Sequence, residues 1–133
     1  TMKPPVAQAI EEICRTFAGH TIDVIEDGEG GTYVKVHGLS IGPTYSPSTS
    51  FIAFRITFQY PMADVYPHYL IHGLRRADGV ALTNPFHPDN QRWGPEKSDE
   101  PVTMLSRRSN HLDATVDTAC GKLLKVLEWI RSQ

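Results

Sequence analysis

Thr57-Phe58-Gln59-Tyr60-Pro61-Met62-Ala63-Asp64-Val65-Tyr66-Pro67 closes the longest period-two stretch of this chain. Immediately upstream, Ile52, Phe54, Ile56 and Phe58 alternate with Ala53, Arg55, Thr57 and Gln59. That is the pattern of a strand with one apolar face, and its length makes it the expected central strand of a sheet. The two aromatic-proline pairs, Tyr60-Pro61 and Tyr66-Pro67, then stop it, because a proline has no N–H for the ladder and pre-sets a turn.

Working outward, Ile22 and Val24, then Val34 and Val36, alternate on either side of Asp27-Gly28-Glu29-Gly30-Gly31 and predict a hairpin. A further strand is expected around Tyr69 to Leu74, turned by Ala77-Asp78-Gly79, which gives a four-stranded antiparallel meander. From Leu82 to Pro101 the chain is dense in Pro, Asn, Gly and charge, and predicts an irregular but folded loop with Phe86 and Trp93 as apolar anchors and His87 hydrogen-bonded inside it. Helices flank the meander. Pro4 and Pro5 open the first where a missing N–H costs nothing, Val6, Ile10, Ile13, Cys14 and Phe17 form its stripe, and Gly19 closes it. The second begins after Asn110, capped by Asp113 or Thr115, with Val116, Ala119, Cys120, Leu123, Leu124, Leu127 and Ile130 as its apolar face. Strands between two helices argue α+β, with the helices on one face of the sheet.

The chain has 133 residues, 40% of them apolar and 21% charged, which suits one globular domain over residues 2–133. Thr1 ahead of Met2 reads as a residue left by tag cleavage. A net charge of −2 offers no broad basic field, so nucleic acid is not an expected partner. The short apolar runs predict neither a membrane span nor a secretory signal, and the expectation is a soluble, cytoplasmic protein. Cys14 and Cys120 read as reduced core thiols. His68 and His72 share a strand face, but the histidines lack zinc-site spacing, so no metal or other cofactor is expected. Arg75-Arg76 and Arg107-Arg108 read as solvated surface pairs.

The Tyr60-Pro61 and Asp64-Val65-Tyr66-Pro67 segments, followed by Phe86-His87-Pro88-Asp89 on a helix-meander-helix frame, resemble the signature of ubiquitin-conjugating domains. The resemblance covers Val6 to Arg131 and implies that fold, with 82–101 as an active-site-like flap. Val65 is an extra residue in the turn, and His68-Tyr69 stand where the family carries prolines. Leu105-Ser106-Arg107-Arg108-Ser109-Asn110-His111-Leu112-Asp113 is more similar to divergent bacterial branches, which occur with activating enzymes, ubiquitin-like proteins and isopeptidases.

In that family a cysteine carries ubiquitin as a thioester and an amide beside it helps stabilise the oxyanion. Here no cysteine lies between Thr16 and Ala119. The family position falls near Thr103 or Met104, neither of which replaces a thiol, and Asp89 stands in place of the assisting asparagine, with Asn90 next to it. The resemblance therefore implies a non-catalytic relative that binds a ubiquitin-like protein, an activating enzyme or an adaptor. It leaves two alternatives: a transferase with a displaced or replaced nucleophile, for which Cys120 beside Lys122 is the candidate, and an unrelated small adaptor. His87, Asp89 and Asn90 form the motif-like loop. Because conjugating domains commonly meet activating enzymes through their first helix, Gln8, Glu11, Glu12 and Arg15 are the expected partner contacts. Trp93 is the expected plug or partner anchor of the flap.

Overall fold

The strand expected from the central alternation is present as Thr49–Ile56, two residues short of Phe58. The computed structural model describes residues 1–95 and 99–133. A turn starts at Thr57, whose carbonyl accepts the Tyr60 N–H at 3.0 Å, so Phe58 leaves the pleat. It lies 45% exposed, with the Lys3 ammonium 5.8 Å from its ring centroid, rather than in the core.

The element order is α1 (Pro4–Thr16), β1 (Ile22–Glu26), β2 (Thr32–Ser40), β3 (Tyr45–Ser46), β4 (Thr49–Ile56), β5 (His68–Ile71), β6 (Arg75–Arg76), β7 (Phe86–Trp93), β8 (Glu100–Leu105) and α2 (Ala119–Arg131). The fold is α+β. One antiparallel sheet has the order β1-β2-β4-β5-β8-β7, and β3 pairs separately with β6. The expected hairpin is β1–β2, with Ile22 opposite Val36 and Val24 opposite Val34. Gly31 closes its turn where any Cβ would collide with the Ile56 carbonyl and the Asp27 carboxylate.

The sheet is wider than a four-stranded meander because part of the segment expected to be irregular is strand. β7 is an edge strand, and its register shifts between His87 and Gln91, so Pro88, Asp89 and Asn90 form a bulge. An edge bulge tolerates a proline and the positive φ of Asn90, 58°. Residues 96–98 of that segment lie outside the described residues.

Alternate residues of β2, β4 and β5 face the helices, and Val34, Val36, Ile52, Phe54, Ile56 and Leu70 join Val6, Ile13, Leu123, Leu127 and Ile130 in one core. The opposite sheet face keeps Tyr33, Lys35, Phe51, Arg55 and Tyr69 half-exposed. Pro4 and Pro5 open α1 as expected, and Val6, Ala9, Ile13 and Phe17 bury its stripe. Cys14 falls outside that stripe and is exposed, contrary to its expected core role. The second helix starts later than expected. Thr118 caps it by accepting the Gly121 N–H, whereas Asp113 caps a separate turn through Thr115. Val116 therefore stands outside the helix at 71% exposure, and Leu124 lies on the outer side of α2.

Candidate functional site

The turn after β4 sets the site. Met62 and Ala63 both bond back to the Gln59 carbonyl, and this single helical turn presents Asp64 to the segment between β8 and α2. There the Asp64 carboxylate accepts the Ser109 N–H at 2.7 Å and the Ser109 hydroxyl at 2.8 Å. Lys122, near the start of α2, donates to both Asp64 oxygens at 3.2 and 3.3 Å and to Ser109 Oγ at 2.9 Å. The Tyr60 hydroxyl accepts the Ala119 N–H at 3.1 Å, and Tyr66 bonds Ser106 through its own hydroxyl. Both tyrosines of the aromatic-proline pairs thus pin the turn to the approach into α2.

Burial raises the Asp64 carboxyl, but the Ser109 bonds and the Lys122 charge outweigh it and hold the group below the ordinary carboxylate value. Burial pulls the Lys122 ammonium down, Asp64 opposes this, and the nearby Arg107 and Lys125 charges add to the fall. Chemically the trio is a clasp rather than an activated nucleophile. The ammonium donates to Ser109, whose own proton goes to Asp64, so neither neighbour is a free base for the hydroxyl.

Beside the clasp lies a cavity of about 210 Å³ walled by Tyr60, Pro61, Val65, Leu112 and Val116, with Lys122 and Lys125 at its polar side. It joins a second cleft of about 300 Å³ that carries Arg107, Arg108 and His111. Ser109, Asp117, Lys122 and Lys125 belong to both. Among the described residues, no group of three His, Cys, Asp or Glu side chains could hold a metal ion. No helix among them is long and apolar enough to cross a membrane.

The residues singled out by sequence are not brought together here. His87 pairs with Met104 across β7 and β8, and among the described residues no hydrogen bond reaches its ring, unlike the internal bond expected there. Asp89 and Asn90 are exposed on the edge bulge. Thr103 is buried in β8 and donates its hydroxyl to the Ile71 carbonyl at 2.9 Å, while Met104 is flanked by Tyr69 and His87. Cys120 is buried in the core as expected, and its burial pushes the thiol up, away from thiolate.

On α1, Gln8, Glu11 and Arg15 are exposed. Glu12 is half-buried and turned toward α2, where it accepts the Thr118 hydroxyl at 3.2 Å. Trp93 is neither in a loop nor in the helix-covered core. It packs on the outer sheet face, edge-on to Tyr33 at 5.9 Å and beside Tyr69 at 6.4 Å, with the Lys35 ammonium 5.4 Å from its ring centroid.

The sequence placed Asp64 in a turn motif and Lys122 beside Cys120, but did not bring Asp64, Ser109 and Lys122 together. Lys122 carries the one signal, a lysine next to the apolar stripe of a helix, which needs a carboxylate partner if its ammonium is shielded. No family model matches the chain, and neither does any curated protein or solved structure.

Proposed function

We propose that the chain is a non-catalytic domain of ubiquitin-conjugating-like architecture that binds a protein partner in a bacterial ubiquitin-like conjugation pathway: a ubiquitin-like protein, an activating enzyme or an adaptor. The observation that carries the non-catalytic part is the placement of Thr103 and Met104. The positions matching the family's nucleophile lie inside a paired strand, the Thr103 hydroxyl is already committed to Ile71, and the buried Cys120 thiol sits in the core. The motif order on a helix-sheet-helix frame supports the architectural part, and the exposed α1 residues Gln8, Glu11 and Arg15 remain free for contact.

The test is incubation with a cognate activating enzyme, ATP and ubiquitin-like protein, followed by non-reducing electrophoresis. No reductant-labile adduct is expected; one that disappears in Cys120→Ala overturns the reading. Reversing Glu11 to Lys should weaken capture of the partner without shifting the melting temperature, because Glu11 is exposed and makes no ion pair among the described residues.

A further inference from the structure

We propose that the two-lobed groove between the turn after β4 and the start of α2 docks an acidic segment of a partner protein, in which an apolar side chain stands beside carboxylates. This rests on the protein-binding reading above and adds the place and the chemistry.

The apolar lobe is open. Val116 is 71% exposed, Leu112 is also exposed, and Pro61 and Val65 continue the wall inward. An apolar surface next to a cavity is suited to an anchoring side chain rather than to water.

The basic lobe decides the charge of the occupant. Arg107, Arg108, Lys122 and Lys125 gather there although the chain as a whole carries −2. Two carboxylates line the groove as well: Asp64 is paired with Lys122 and bonded by Ser109, and Asp117 accepts the Asp113 N–H at 2.7 Å and keeps its charge, so the four cations exceed the two carboxylates by two. Among the described residues, Arg107, Arg108 and Lys125 have no carboxylate within ion-pair distance. Two of these cations are also held in place. The Arg107 guanidinium lies 4.3 Å from the Trp129 ring centroid and that of Arg108 4.4 Å from Tyr66, so less side-chain freedom is lost when an anion is bound. Crowded cations repel one another, and an incoming carboxylate relieves that repulsion. A nucleic-acid backbone would find only this short patch on an otherwise acidic chain, and its charge would leave the apolar lobe unused.

The probe is the peptide acetyl-Glu-Asp-Leu-Phe-Asp-Glu-amide, titrated into isotope-labelled protein while backbone amide shifts are followed. The expected result is saturable shifts confined to residues 60–66, 107–112, 116–118 and 121–125. Affinity should fall about tenfold on raising salt from roughly 50 to 500 mM, as screening of such pairs requires. Lys125→Glu should weaken binding about fivefold and Val116→Ser about threefold, both with an unchanged melt, since these side chains are exposed. Shifts elsewhere, no shifts, or equal binding of a peptide with every acid replaced by lysine overturns the assignment. Inorganic phosphate or phosphatidylserine vesicles reproducing the whole shift pattern overturns the peptide in favour of an anion or lipid site. A protein that forms no adduct and also fails to bind the peptide loses the groove but keeps the non-catalytic reading. An adduct lost in Cys120→Ala removes that reading whether or not the peptide binds.

Discussion

Asp64 Oδ2 and Lys122 Nζ stand 3.2 Å apart, joining the turn after β4 to the start of α2. Their side chains are only 21% and 11% exposed, so each ion depends on the other rather than on water. Asp64→Asn should destabilise the domain by about 2–3 kcal/mol, because it strands a shielded ammonium and weakens two bonds to Ser109. Adding Lys122→Met should recover at least half of that loss, since the stranded charge is then gone. Urea unfolding of the single and double variants measures both. A single variant within about half a kcal/mol of the parent would mean the clasp does not hold the loop.

His68 faces inward from β5, fully buried, with neither ring nitrogen bonded among the described residues and its ring 5.3 Å from that of Phe54. Its pKa is lowered from 6.5 to about 3, chiefly by burial, with the Lys122 charge adding to the fall and Asp64 partly opposing it. The folded state therefore keeps it neutral where the unfolded chain takes up a proton. Stability from this group is fully present above pH 6.5 and is lost as pH falls from 6.5 toward 3. Between pH 7 and pH 5 the loss should be about 2 kcal/mol. Asp64, held below its ordinary 3.8, contributes its own loss only at lower pH. His68→Leu should flatten the pH dependence between 7 and 5, measured as the urea midpoint; an unchanged slope would assign it to other groups.

The central strand separates two phenylalanines that one alternation had placed together. Phe54 is wholly buried and Phe58 is not. Phe54→Ala should cost about 3–5 kcal/mol and Phe58→Ala less than about 1, read from paired thermal melts. Equal losses would place the end of β4 at Phe58 after all.

That pair also shows what the chain made legible. Period two identified Ile52, Phe54 and Ile56, and period 3.6 identified Val6, Ile13, Leu123 and Leu127, because each belongs to a face buried along its whole length. Where a strand ends depends on the turn that replaces the ladder, and the Tyr60-to-Thr57 bond claimed Phe58. β7 was hidden for a different reason. Its bulge breaks the alternation at Pro88-Asp89-Asn90, and an edge strand has no need of apolar residues throughout. The clasp was illegible because Asp64 lies 45 residues from Ser109 and 58 from Lys122; no local pattern assigns a carboxylate to a lysine at that range.

Trp93 offers the sharpest test of how the uncovered face of the sheet is held. Its indole packs against Tyr33 and Tyr69 beneath the Lys35 ammonium, and Lys35 is itself paired with Glu100. Removing the ring should expose those tyrosines and loosen the Lys35 contact, so Trp93→Ala should lower stability by about 2–3 kcal/mol, less than a fully enclosed tryptophan because this one is half-buried. Its Nε1–H is buried without an acceptor among the described residues. A buried donor without a partner is a penalty, so Trp93→Phe, which keeps most of the aromatic contact and deletes the donor, should fall within about 1 kcal/mol of the parent. Chemical unfolding of both variants distinguishes packing from polarity. A Trp93→Phe loss as large as that of Trp93→Ala would show that the indole N–H is bonded, and an unchanged melt for Trp93→Ala would return the residue to the role of a partner anchor.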